Sequence, residues 1–218
     1  MVLRINTALS AARWLGTQEG SREHQTILSV YNGIRPLPRG YALKETDAWC
    51  AAFASAAAVM AGAGARYPLE CSCTKIIEKA KSMGIWTERD DHVPGIGDWV
   101  LYNWQAKSSA EDTGAPDHVG VVIGVENGQI LAVEGNYDNR VKLRKFPVNW
   151  EKIRGFVCPE WEEDVMRVHT LQEVPAYARA TIEKLIADGS LRGVSGDDLG
   201  LSEELIRILV ILDRRGLL

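Results

Sequence analysis

The chain has 218 residues, 46% hydrophobic and 25% charged, with a formal net charge of −4. That composition describes an ordinary globular protein, one main domain with room for an appendage, and excludes a disordered or fibrous chain. Acids gather at the end: from Glu160 onward 12 Asp or Glu face 7 Lys or Arg, net −5, while the rest stands at +1, so no basic face is offered and nucleic acid is not an expected partner.

Residues 7–31 carry Leu9, Ala12, Trp14, Leu15, Ile27, Leu28 and Tyr31 at helical spacing, interrupted at 17–21, where Gly20 disfavours a helix interior. YNGIRPLPRGY (31–41) is loop, because Gly33, Pro36 and Pro38 forbid a regular element. A helix runs from Cys50 to about Met60 and stops at Gly62 and Gly64. Another covers 73–83 and ends at Gly84. The period then changes. Pro94-Gly-Ile-Gly-Asp98 is a turn into the strand WVLYNW, and 105–117 is a polar surface loop. HVGVVIGV (118–125) and QILAVEGN (129–136) form a hairpin, followed by strands in VKLRKFPV and KIRGFVCP. Helices first and an antiparallel meander second define an α+β domain over 1–159. A charged linker, 160–172, leads to a helical unit over 173–218, with Pro175 in a first turn, Gly189 as a stop and Ser202 as an N-cap.

The run Ala51–Ala65 is shorter than the roughly 20 residues that cross a bilayer, so no membrane insertion is expected. MVLRINTALSAARWLG lacks the apolar block of a signal peptide, which implies synthesis in the cytoplasm without an export signal. The four cysteines, Cys50, Cys71, Cys73 and Cys158, are too few for a disulfide scaffold. A zinc set from Cys71, Cys73, Cys158 and a histidine lacks a second C-x-x-C pair. No metal and no cofactor are expected.

DAWCAAF places Cys50 at a helix start, where the dipole and a nearby imidazole would favour the thiolate; the alternative is a small apolar filler. His118 opens a strand. His24 and His169 lie in polar segments read as exposed, and His92 in a solvated loop. If Glu126-Asn127-Gly128 is a three-residue hairpin loop, His118 faces Asn136 and Gly120 faces Glu134, all on one sheet face, with Val119, Val121, Ile123, Leu131 and Val133 on the other. A two-residue Asn127-Gly128 turn would instead put His118 and the Glu134/Asn136 pair on opposite faces. The three-residue loop is preferred because it segregates polar from apolar groups. With the cysteine helix packed across the polar face, this is the layout of papain-like enzymes, with the Cys50 N–H a donor to an oxyanion. Gly120 would leave room for a substrate backbone, and Trp49 would wall the cleft.

The order DAWCAAF, PGIGDWVLY, DHVGVVIGV, EGNY resembles the CHAP family, the cysteine, histidine-dependent amidohydrolases/peptidases, over Ala8 to Pro159. ECSCTKII and YNGIRPLPRGY resemble pieces of a subgroup common in phage and prophage lysis proteins. The resemblance implies a papain-like CHAP fold, Cys50 as nucleophile, His118 as general base and then acid, Glu134 orienting the imidazole, and Asn136 assisting it or binding substrate. It implies peptidoglycan as partner and hydrolysis of an amide in it, by an N-acetylmuramoyl-L-alanine amidase or a peptide endopeptidase of endolysin type, acting on the wall after holin-dependent release or lysis. Some members bind calcium through acids upstream of the cysteine; YALKETDAW offers only Glu45 and Asp47, so that site is not expected. Two other readings stand: a small-molecule thiol amidase of glutathionylspermidine-amidase type, and a non-catalytic binding module. The C-terminal unit binds wall polymer, drives homo-oligomerisation, or caps the main domain.

Overall fold

The computed structural model describes residues 3–88, 91–106, 114–161, 167–193 and 198–218. Contacts divide the chain into two units, Met1–Trp161 and Glu162–Leu218.

The first unit opens with α1 (Arg4–Ala12) and α2 (Arg22–Asn32), separated where the sequence predicts a break, and Ser21 caps α2 by accepting from the His24 N–H. Next comes α3 (Cys50–Met60), in which every residue from Cys50 to Ala58 is buried. Its run of alanines lets neighbouring elements approach from all sides, which is why it has no polar face. The one hydroxyl inside, Ser55, is satisfied by donating to the Glu70 carbonyl and accepting from the Glu70 N–H. Then follow α4 (Cys73–Ser82), a short β1 (Trp86–Thr87), β2 (Trp99–Tyr102), β3 (His118–Glu126), β4 (Gln129–Tyr137), β5 (Arg140–Pro147) and β6 (Ile153–Val157).

The strands form one antiparallel sheet in the order β1-β6-β2-β3-β4-β5. The expected meander therefore holds only for β2 to β5. The chain then returns, and β6 pairs with the outer edge of β2. Most of the loop read at 105–117 lies outside the described residues.

The β3–β4 hairpin corrects the expected turn. Asn127 and Gly128 both have positive φ, 49° and 73°, and Glu126 pairs directly with Gln129, so the loop is the two-residue kind that Asn-Gly favours. Uncorrected, this register would turn His118 and Glu134 to opposite faces. A bulge prevents it: Gly124 pairs with Leu131, but Val122 pairs with Ala132, leaving Ile123 over. Beyond the bulge the register is the one the three-residue loop would have produced, and His118 and Glu134 share a face.

That face holds a core of Val100, Tyr102, Val122, Ile130, Ala132, Phe146 and Phe156. The opposite face meets α3. A Cβ on Gly135 would lie 2.4 Å from the Phe53 ring, so glycine is what allows the helix to sit so close. The cysteine helix thus lies on the face opposite the one expected, and its first turn reaches His118 at the end of the sheet.

In the second unit, β7 (Arg167–Val168) pairs with β8 (Leu201–Ser202), and α5 (Arg179–Ala187) and α6 (Glu203–Arg214) pack around Val174, Ala178, Ile182, Leu201, Ile206 and Val210. Ser202 caps α6 by accepting from the Leu205 N–H, and Asp213 ties the helices by accepting from Thr181 and Lys184. Of the expected linker, 162–166 lies outside the described residues, and 167–168 form a strand rather than a tether. No described helix is long and apolar enough to cross a membrane.

Candidate active site

Cys50 is the first residue of α3, after Trp49, whose side chain makes no capping bond. Asp47 does not cap the helix either. Its Oδ2 accepts from the Lys44 N–H and the Tyr41 hydroxyl instead. The first turn of α3 therefore has no side-chain cap from Trp49 or Asp47, and its N–H groups favour an anion at this end.

His118 opens β3 and pairs in register with Tyr102 of β2. Its Nε2 lies 3.1 Å from Oε2 of Glu134, a close contact too bent for a full hydrogen bond. Cys50 and His118 lie close enough for each to shift the other's proton affinity, and with Nε2 facing Glu134 the nitrogen left for the sulfur is Nδ1. Glu134 is fully buried, and its Oε1 accepts a 2.6 Å hydrogen bond from the Tyr102 hydroxyl. The result is a line of four groups: thiol, imidazole, carboxylate, phenol.

A second thiol joins it. Sγ of Cys73, the first residue of α4, lies 3.9 Å from Sγ of Cys50. Hydrogen bonding from Cys73 is the largest influence lowering the Cys50 pKa well below its ordinary value. Burial opposes it, and the His118 bond and charge and the Ala51 N–H add to it. The same pair pushes Cys73 well above the ordinary thiol range, so Cys73 stays protonated and donates. Burial disfavours a charged His118, but its close contacts with Cys50 and Glu134 and their charges overcome this and carry it up to about 9. Both shifts favour the thiolate–imidazolium pair, the form in which a cysteine attacks carbonyl carbon.

The sequence-predicted residues divide. Cys50, His118 and Glu134 come together. Asn136 sits on β4 with φ 58°, and among the described residues no hydrogen bond links it to His118. Trp49 walls no cleft: it is fully buried, donates its indole N–H to Glu19 and packs on His24 and Phe53. Gly120 makes room for Glu134 rather than for a substrate, since a Cβ there would lie 2.8 Å from the Glu134 Cγ. His24, expected to be exposed, is buried 4.6 Å from the Trp49 ring, and burial lowers its pKa.

Tyr102 and Cys73 were missed as site residues. Tyr102 read as core, though pairing WVLY against HVGV would have set it beside His118. Cys73 had only its place at a helix start to mark it.

The suspected zinc ligands are scattered. Cys73 is at Cys50, Cys71 lies beside Tyr31, and Cys158 Sγ is 3.3 Å from His92 Nε2. His92, Asp98 and Cys158 do offer ligand atoms within 4.8 Å of one another, so His92 is not the solvated loop residue expected. Asp98, however, already carries the Arg4 guanidinium at 2.7 Å and the Gly95 N–H, which balances its charge without a cation.

Residues 42–136, which include Cys50, Cys73, Tyr102, His118 and Glu134, match the family model described as CHAP domain. A curated protein, Copper-transporting ATPase 1 of Rhizobium meliloti (strain 1021), is 28% identical over 136 residues, which is 62% of this chain and only 14% of that protein. Two solved structures are also similar: Ly7917, at 17% identity, and Ly7917 with the hydrolyzing product of MDP, at 19%. Each covers 71% of this chain and 62% of the other, with a TM-score of 0.39.

Proposed function

Because residues 42–136 match the CHAP domain model, we propose that the protein is a cysteine hydrolase that cleaves an amide bond of bacterial peptidoglycan through an acyl-enzyme on Cys50. The observation that carries this reading is the line from the Cys50 thiol through His118 and Glu134 to Tyr102, built at a helix N-terminus.

The Cys50 thiolate attacks the scissile carbonyl carbon. The negative charge that develops on oxygen is met by N–H groups of the uncapped first turn of α3, that of Cys50 foremost. His118, already protonated, gives its proton to the leaving nitrogen as the tetrahedral adduct collapses, leaving a thioester on Cys50. It then takes a proton from the water that hydrolyses the thioester, and the thiolate–imidazolium pair is restored. Glu134 keeps the ring oriented and favours its charged form, and Tyr102 holds Glu134. Asn136, whose side chain makes no hydrogen bond among the described residues, is left to meet substrate. The ECSCTKII and YNGIRPLPRGY segments favour a lysis protein of phage or prophage type.

Purified peptidoglycan incubated with the protein, followed by mass spectrometry of the released fragments, tests the reading and names the bond cut, sugar–peptide or peptide–peptide. Fragments that appear with the wild type and vanish with Cys50→Ala are expected. No fragment from any wall type would favour a small-molecule amidase instead.

A further inference from the structure

Near His118 a guanidinium is held among aromatic rings. Arg144 lies on β5, paired with Ala132 of β4. Its guanidinium carbon is 4.3 Å from the centre of the Tyr137 ring and 5.6 Å from the rings of Trp104 and Trp150. Trp104 and Tyr137 flank the His118 imidazole at 5.9 and 6.1 Å. All four residues of this cluster are half-buried. Among the described residues the Arg144 guanidinium makes no hydrogen bond and no ion pair. Asp138, which feels its charge, is engaged with Lys142 at 2.6 Å, and Glu134, behind the imidazole, accepts from Tyr102 and lies against His118.

Aromatic rings attract a guanidinium by its charge but accept none of its in-plane N–H bonds. Arg144 is therefore steadied by its neighbours, while among the described residues its five-donor fork stays unmatched. That fork fits a planar carboxylate through two parallel bonds, and a side chain already held in place loses little freedom when it binds one.

We propose that Arg144, framed by Trp104, Tyr137 and Trp150, is a subsite that binds a carboxylate of the substrate's peptide. The proposal rests on the hydrolase reading for what happens at Cys50. The ring-to-ring distances put the guanidinium at most about 10 Å from the imidazole, and an extended peptide spans at most ~3.3–3.6 Å per residue. The recognised carboxylate thus lies within about three residues of the amide that is cut.

The test uses the full chain carrying Cys50→Ala and two soluble muropeptides that differ at one group, the glutamyl carboxylate of the stem being free in one and a primary amide in the other. The free acid is expected to bind about 10- to 100-fold more tightly, the range for a charge-assisted bidentate contact. Adding Arg144→Gln should collapse that preference to within about twofold, and Arg144→Lys, which keeps the charge but not the fork, should restore only part of it. Equal affinity for both muropeptides, an equal loss for both on Arg144→Gln, or no binding of either would overturn the subsite. Wild-type turnover separates the two ideas. Cleavage of both forms without preference keeps the hydrolase and rejects the subsite; carboxylate-dependent binding without cleavage does the reverse.

Discussion

The Tyr102 hydroxyl donates to Oε1 of Glu134 at 2.6 Å, between two fully buried side chains. Burial and the neighbouring carboxylate hold the phenol far from ionising, so Tyr102 acts only as a donor that keeps Glu134 aimed at His118. Removing the hydroxyl leaves a buried carboxylate oxygen without its partner, a loss of about 1–3 kcal/mol. Tyr102→Phe is expected to lower kcat/KM roughly tenfold and to lower the unfolding midpoint in urea. Unchanged values of both would remove Tyr102 from the site.

Cys73 offers a second check, because its thiol is the strongest influence on Cys50. In Cys73→Ala the donor is gone while burial remains, so the Cys50 thiolate becomes less favourable. The midpoint of a pH profile of Cys50 alkylation should move upward. A midpoint that stays put, or moves down, would mean that the 3.9 Å approach has no electrostatic consequence.

The pH dependence of hydrolysis follows from the pair. Cys50 must be deprotonated, and its pKa is lowered, so the acid limb lies well below the ordinary thiol range. His118 must be protonated to serve the leaving group, and its pKa is about 9, so activity is lost as pH rises through that value. A bell-shaped kcat/KM profile with a broad plateau across neutral pH is expected. A profile that keeps rising past pH 9 would indicate a different acid.

Gly120 separates a substrate role from a packing one. A Cβ there meets Glu134 at 2.8 Å and Tyr102 Oη at 3.3 Å, so Gly120→Ala pushes the carboxylate off the imidazole. Activity should fall at least tenfold through kcat, with a stability loss of about 1–3 kcal/mol from overpacking. A change confined to KM would return Gly120 to substrate contact.

Much of this was legible before any coordinates. Helix and strand periods marked α3, β3 and β4, and Cys50, His118 and Glu134 were nameable. What the sequence hid was three-dimensional bookkeeping. Asn127-Gly128 correctly signals a tight turn, but nothing in HVGVVIGV announces that Ile123 will be the bulged residue that rescues the register. Trp49 beside Cys50 looks like a cleft wall until His24 and Phe53 are seen packed on it. Cys73 and Arg144 earn their places from elements remote in sequence, α4 and β5, whose approach to the site no local pattern records.

The most direct measurement is the rate at which iodoacetamide labels each cysteine at pH 6, read by peptide mapping. An ordinary thiol is roughly 0.3% ionised there. A thiolate paired with His118 should make Cys50 react roughly 100-fold faster than Cys71, Cys73 or Cys158, and His118→Ala should erase most of that advantage. Slow, even labelling of all four, or a fast Cys50 indifferent to His118→Ala, would contradict the ion pair on which the chemistry depends.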